Sequence, residues 1–560
     1  MKKILLLITI TSIACSTQAQ SFHVCNSNGT TLEIPVKENK EITFDAAQRL
    51  INFHNSGNIR HSFATDHVKS IEMQQPTNGS RLSYDLEPQV NTYDIDEIIY
   101  NNIVETIITD ETIDEAGDFI ENYTPEKRVT ITFNETGINI TPATTSGITF
   151  ETKNNTHLTV SSTTGKVQYI IKGKCSNGSI KFYSEKKFQL MLGGIELTNP
   201  TGPAINIQTG KTVYFTIGNA TDNSLCDGAT YSAPVTTNGE EEDQKGTIFS
   251  EGQLIFNGTG TLNVTALGGH AICSDDYIRI RSGKINILSA LKDGFHTNDM
   301  FRVGTTAKSE PVINVNSTGD AIDCGKGEII IEAGKLTLNS GGEAIKASYE
   351  EAVPDTLITP NVRINGGRII ITTSGVKSSA VKATGSYIQT DGFIQATVSG
   401  NGSKIINCDG EVLFNNGTLI GFAHGTQHAA DTTSAGGIKC EGNMQIAGGI
   451  LKIKCTGEGA KAINCNGDIT IEGNDAAEVT LLSIAENDNT TEDDKKSRAI
   501  SCTGFTQNGN TVQLYSYDKA ISAASVTLTN GTLHAISTND TKPINVDITQ
   551  SGGWLMTKGE

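Results

Sequence analysis

Between Gly268 and Ala347 the chain repeats itself. GGHAICSDDYIRIRSGKINILSA and TGDAIDCGKGEIIIEAGKLTLNS are near-copies, and LKDGFHTND opens a third unit between them. Each unit runs through a small residue, Ile or Phe, a polar residue, then Ser, Cys or Thr. A polar turn, a short strand, a glycine turn and a second strand follow. Ala271, Gly294, Ala321 and Ala344 mark equivalent points, roughly 23 to 27 residues apart. A fixed step of that size in glycine- and β-rich sequence makes each repeat one turn of a solenoid.

The frame reaches well beyond these units. GTIFSEGQLIFNGTGTLNVTA places Thr247 at the Ala271 point, and SAVKATGSYIQT, KIINCDG, GIKCEG, KAINCNG, RAISCTG and KAISAAS carry it toward the C-terminus. Strand signals of this kind resume at RVTITFNETGINIT. The reading for 128–560 is an all-β parallel β-helix, or solenoid, of about a dozen coils. The polar stretches SYEEAVPDTLITP and AENDNTTEDDKKS read as loops between coils. Before it, 20–76 carries the alternating runs TTLEIPV, KEITF and HVKSIEM of a small β module, and 77–127 reads as an acidic linker.

Residues 1–19 have two lysines, an apolar run and a small-residue exit, the pattern of a secretory signal peptide. The competing reading makes Cys15 a lipid anchor. The mature chain is expected to be exported, secreted or held on the outer surface of a bacterium. Its net charge of -19 argues against nucleic acid, which asks for clustered Lys and Arg.

Eleven cysteines in an exported chain would ordinarily suggest disulfides. Here Cys324, Cys408, Cys440, Cys465 and Cys502 share one repeat position with Ser250, Ser274, Thr297, Ala347, Ala383 and Ala523. That column reads as an inward stack of small packing groups, although a vertical bridge stays open. Gly252, Gly385, Gly410, Gly442, Gly467 and Gly504 share a turn position, for which positive φ is expected. No metal-type CxxC or HExxH occurs, and the ten histidines show no ligand spacing along the chain.

The column just before the marker residue is expected to face outward. It holds His270, Asp293, Asp320 and Glu343, then Ser379, Lys404, Gly436, Lys461, Arg498 and Lys519. Coils rise by about 4.8 Å, and calcium binds oxygen at about 2.3–2.6 Å, so stacked carboxylates have the separation one ion can bridge. Asp275, Asp276, Asp299 and Asp323 lie on the neighbouring turn, and Glu251 occupies the Asp275 position one coil earlier. Solvated turn acids are the alternative. Lys404, Lys461, Arg498 and Lys519 would hold an acidic glycan, or else serve as solubilising charges. With Trp554 the single tryptophan, and Tyr277, Phe301 and Tyr387 as other candidates, a charged ligand is favoured over a neutral stacked one.

The segment KGTIFSEGQLIFNGTGTLNVTALGGHAICSDDYIRIRSGKINILSALKDGFHTND resembles the bacterial carbohydrate-binding-domain proteins. The likeness runs from KFQLMLGGIELTNPTGPAINI to near Ser537, and the module before the linker is similar to one often attached to such proteins. The resemblance implies a right-handed β-helix, calcium bound on it, and affinity for cellulose-like or pectin-like polysaccharide without catalysis. The C-terminal coils depart from it, carrying Lys, Arg or Asn at many of the family's acidic positions. Two rivals stand beside this reading. A polysaccharide lyase would use a base such as Lys292, Arg279, Arg281 or Lys326, residues that could equally pair with nearby acids. An adhesin or structural spacer would bind protein.

Overall fold

The computed structural model describes residues 116–558 apart from 238–239, 306–310, 350–358, 474–478, 488–495 and 540–541, together with strands between Ser21 and Gln74. The expected signal peptide, Cys15, most of the expected linker and much of the two expected polar loops lie outside the described residues. The chain divides into two units, Met1–Ile107 and Ile108–Glu560.

The first unit is a small antiparallel β module. Ser21–Asn26 pairs with Thr31–Pro35 and Val68–Gln74, and Leu50–Asn55 pairs with Glu41–Asp45 and Asn58–Ala64.

The second unit is a parallel β-helix. One coil contributes His270–Ser274, Tyr277–Ile280 and Lys284–Ala290; the next contributes Phe295–Thr297, Met300–Val303 and Val312–Ser317. Each strand pairs in parallel with its counterpart one coil on, so three ladders rise through the molecule. The first ladder forms a 15-stranded sheet, and the other two run together in a 28-stranded sheet.

Alternation decides which side chains go inward. In Lys284–Ala290 the residues Ile285 and Ile287 are buried while Lys284 is exposed. In the first ladder Ile248, Ile272, Phe295, Ile322, Ile345, Val381, Ile406, Ile438, Ile463, Ile500 and Ile521 stack in unbroken register. Each such side chain contributes roughly 1.5–3 kcal/mol on full burial. One continuous core results, from Val129 to Ile544.

The small-residue column follows the same register from Ser250 through Ser274, Thr297, Cys324, Ala347, Ala383, Cys408 and Cys440 to Cys465. Its cysteines are free thiols, and Cys440 donates a hydrogen bond to Cys465 at 3.2 Å.

The glycine expectation is corrected. None of Gly252, Gly385, Gly410, Gly442, Gly467 or Gly504 is among the positive-φ glycines. Close stacking of turns explains them instead: a Cβ on Gly252 would lie 2.7 Å from the backbone of Gly210, and one on Gly467 would lie 2.4 Å from Asn443 Oδ1. Positive φ falls at the next turn, between the second and third ladders, at Gly283, Gly334, Gly392 and Gly417.

At its N-terminal end the solenoid folds antiparallel. Lys127–Asn134 pairs with Gly137–Thr141, and Ile148–Lys153 pairs with His157–Ser162, which covers edges otherwise open to another strand. Just before them, Ala116–Asp118 and Ile120–Asn122 form two short 3-10 turns. They pack on the outer side of the second ladder. Asp118 pairs with Arg279 and Glu121 with Arg281, each at 2.8 Å, and the Tyr214 hydroxyl donates to the Gly117 carbonyl at 2.6 Å. The end of the segment read as a linker is thus part of the folded solenoid.

Candidate metal and glycan-binding face

Register places the expected column where the repeat frame put it. The amides of Ala271, Gly294, Ala321, Ala344 and Ala380 donate in turn to the carbonyls of Asp293, Asp320, Glu343, Ser379 and Lys404. Lys404, Gly436, Lys461, Arg498 and Lys519 then pair strand to strand. Residues more than 200 positions apart therefore share one vertical line.

The column is not the solvated outer edge that its charges suggested. His270, Asp320, Lys404 and Arg498 are buried, and Asp293 and Glu343 are half-buried. Charge at such depth needs a partner, and for Asp293, Asp320 and Glu343 partners come from a second column two residues past each marker. That column runs Cys273, His296, Asp323, Lys346, Lys382, Asn407, Lys439. Between them the columns build a chain of opposite charges. Asp293 Oδ2 lies 3.0 Å from His270 Nδ1 and 3.3 Å from His296 Nδ1. His296 Nδ1 is also 3.2 Å from Asp323 Oδ2. Lys346 Nζ reaches Asp323 Oδ1 at 3.1 Å and Asp320 Oδ2 at 3.2 Å, and Lys382 reaches Glu343 at 3.4 Å. Backbone amides lock the acids: those of Asp320 and Glu343 donate to Asp293 Oδ1 and Asp320 Oδ1 at 2.8 and 2.7 Å.

Electrostatics follow from that packing. Burial would raise the Asp293 carboxyl, but the His270 and His296 rings close beside it outweigh that and hold Asp293 well below the usual carboxylate range. His296 is lowered by burial yet raised further by Asp293 and Asp323, to about 9. Asp320 is pushed up to about 7 by burial, an effect that Lys346 opposes and Glu343, Asp293 and Asp323 reinforce. Lys404 is brought down to about 8 by burial and by Lys439 and Lys377; its ammonium donates to the Gly402 carbonyl at 3.1 Å.

The other expected acids separate from this group. Asp275 lies with Asp243 and Glu251, their carboxylate oxygens within 4.8 Å of one another. Lys245 donates to both Asp275 oxygens at 2.7 and 2.8 Å and pairs with Asp243 at 2.8 Å. Burial raises the Asp275 carboxyl, and Lys245 only partly offsets that. Asp276 and Asp299 stand on successive coils at the turn, where the Asp299 amide donates to the Asp276 carbonyl and Gln253 donates to the Asp276 side chain. Lys519 pairs with Asp518 at 3.3 Å. Of the aromatic candidates, Phe301 and Tyr387 are in the core and the Tyr277 hydroxyl donates to Asp118.

Sequence reading missed His296, Lys346, Lys382, Lys439 and Lys245. Ligand spacing along the chain was the wrong test for the histidines, because His270 and His296 meet across a coil. The signal was present one column over, where a cysteine is followed by His, Asp and Lys at the same repeat position.

Comparison with known proteins adds three findings. A family model described as carbohydrate-binding domain-containing protein matches residues 154–481. A solved structure of the polysaccharide lyase-like protein from C. thermocellum, a gadolinium derivative, superposes with a TM-score of 0.38 at 20% identity, covering 51% of this chain and 96% of that one. No curated protein matches.

Proposed function

Because the chain belongs to the carbohydrate-binding domain-containing protein family, we propose that it is an exported protein that holds a polysaccharide without cleaving it. The ligand proposed is an acidic, uronate-type glycan of the kind plants make. It lies along the solenoid axis over the outer side of the first ladder.

The observation that carries this reading is the row Lys346, Lys382, Asn407, Lys439, in register over successive coils. These lysine side chains keep 20%, 39% and 34% of their surface exposed, and their ammonium groups, paired with Asp320, Glu343 and Glu441, would turn from or share those acids to meet a glycan carboxylate. One exposed ammonium–carboxylate contact is worth about 1 kcal/mol or less, so a glycan must engage several at once. Lys404 and Arg498, also expected to hold the glycan, are buried. A flat aromatic platform for neutral cellulose has no support from Phe301 or Tyr387, both enclosed. Of the four candidate lyase bases, Arg279 and Arg281 are engaged by Asp118 and Glu121, while Lys292 and Lys326 are exposed.

Calcium fits the acids unevenly. Between Asp320 and Asp323 the Lys346 ammonium already stands where an ion would sit. At Asp243, Glu251 and Asp275 the donors are all carboxylate oxygen, the set calcium prefers. Calcium is proposed there, with Lys245 swinging aside. A bound ion would supply positive charge on an acidic surface and draw a uronate carboxylate to it.

The test is retention of the full chain on immobilised polygalacturonate and on cellulose, with and without chelator, with ultraviolet absorbance following unsaturated products. Retention on polygalacturonate, weakened in K382A/K439A and without product release, is expected. Equal retention of wild type and variant, or release of unsaturated sugars, would remove this reading. Binding to no glycan would favour the adhesin reading instead.

A further inference from the structure

We propose that His270, Asp293 and His296, with Asp323 beside them, form a binding site for one divalent transition-metal ion of the zinc class, separate from any calcium site. The three donors come from two successive coils, and Asp323 from the next. The rings of His270 and His296 stack with centroids 4.4 Å apart and planes 28° apart, and both turn Nδ1 toward Asp293. The donor atoms of His270, Asp293 and His296 lie within 4.8 Å of one another.

Spacing fits a small ion. Zinc binds imidazole nitrogen and carboxylate oxygen at about 2.0–2.2 Å, so neighbouring donors of a tetrahedron stand about 3.3–3.5 Å apart. The contacts here are 3.0 Å from His270 to Asp293, 3.3 Å from His296 to Asp293 and 3.2 Å from His296 to Asp323. The three donors of His270, Asp293 and His296 meet one centre after small side-chain shifts, with water in the fourth position. Two nitrogens in the set disfavour calcium, a hard cation that takes oxygen.

Hydrogen bonding alone leaves the cluster unfinished. His296 Nδ1 is buried between two carboxylates yet makes no well-directed hydrogen bond to either. One N–H cannot serve both, whereas an ion at the centre touches all. Asp323, 2% exposed, also has Oδ1 without a directed hydrogen bond, although Lys346 lies close to it. The Asp293 amide approaches His270 Nδ1 at 3.3 Å, a long contact that a metal would replace.

Around the donors, the Asp320 amide on Asp293 Oδ1 and Lys346 on Asp323 Oδ1 fix both carboxylates, as outer partners of a metal site do.

The experiment titrates the chelator-treated full chain with cobalt(II), followed by zinc. Expected are visible bands of a four-coordinate cobalt centre at one equivalent, their loss on adding zinc, and at least a ten-fold weaker affinity in His270→Gln and in His296→Gln. Wild type that takes up neither metal overturns the proposal. So does a sulfur-to-cobalt charge-transfer band, which would put the ion on the cysteines, or undiminished uptake in both variants. Circular dichroism checks each fold. Should His296→Gln not fold, the less enclosed Asp293→Asn provides the second measurement. Glycan retention is read separately, so loss of the metal and loss of sugar binding are distinguishable.

Discussion

Asp118 closes an ion pair at 2.8 Å on Arg279, 161 residues further along the chain, whose side chain is completely buried. Arg279 also stacks in register on Arg302, and burial together with that neighbour lowers it to about 10. Removing one partner of a buried pair leaves a charge uncompensated, at about 3–5 kcal/mol. Asp118→Ala should destabilise the full chain by that order in denaturant unfolding. Pairing it with Arg279→Met should restore much of the loss. A single variant within about 0.5 kcal/mol of wild type would show that the short turns are dispensable.

Lys404 gives a pH dependence of definite sign. Its folded pKa of about 8 lies below the ordinary 10.5, so the unfolded chain holds the proton more tightly. The cost of burying the ammonium is fully present below about pH 8 and fades as pH rises toward 10.5. Lys404→Met should therefore stabilise at neutral pH by up to ~3 kcal/mol, and the gain should shrink in alkali. The difference in melting temperature between variant and wild type, measured at pH 7 and pH 10, checks it. A constant difference would mean the ammonium is better solvated than its surroundings indicate.

Burial pushes the thiols of Cys324 and Cys408 up to about 12, so neither is a thiolate at neutral pH. Native protein should leave both unmodified by an alkylating reagent that labels them after denaturation, as peptide mass mapping would read. Rapid native labelling would indicate that the coils open locally.

Calcium should raise the melting temperature if it is held at Asp243, Glu251 and Asp275. In Asp275→Asn that rise should disappear while the base melting temperature changes by only a few degrees, since the lost contact with Lys245 is partly exposed. An unchanged calcium response in the variant would move the ion elsewhere.

How much of this was legible beforehand depended on which direction was read. The repeat frame named both the small-residue column and the charged column, from His270 to Lys519, because period alone fixes vertical neighbours. Depth was misjudged. A charged residue beside a glycine turn reads as solvated, and only packing reveals that His270, Lys404 and Arg498 are enclosed. The turn glycines were placed correctly but explained wrongly, since backbone crowding between coils and positive φ leave the same residue in the sequence. Asp118 and Glu121 were unreadable for a different cause: their partners lie over 150 positions away on a face that the repeat does not describe.

The unbroken isoleucine-rich register also determines how damage would spread. Coupling between two substitutions depends on height along the axis and hardly at all on position in the chain. Ile272→Ala and Phe295→Ala share a cavity and should interact strongly in a double-mutant cycle, whereas Ile272→Ala and Ile500→Ala, many coils apart, should simply sum. Such a molecule behaves mechanically like a stack of coins, with each injury felt by the layers above and below and by few others.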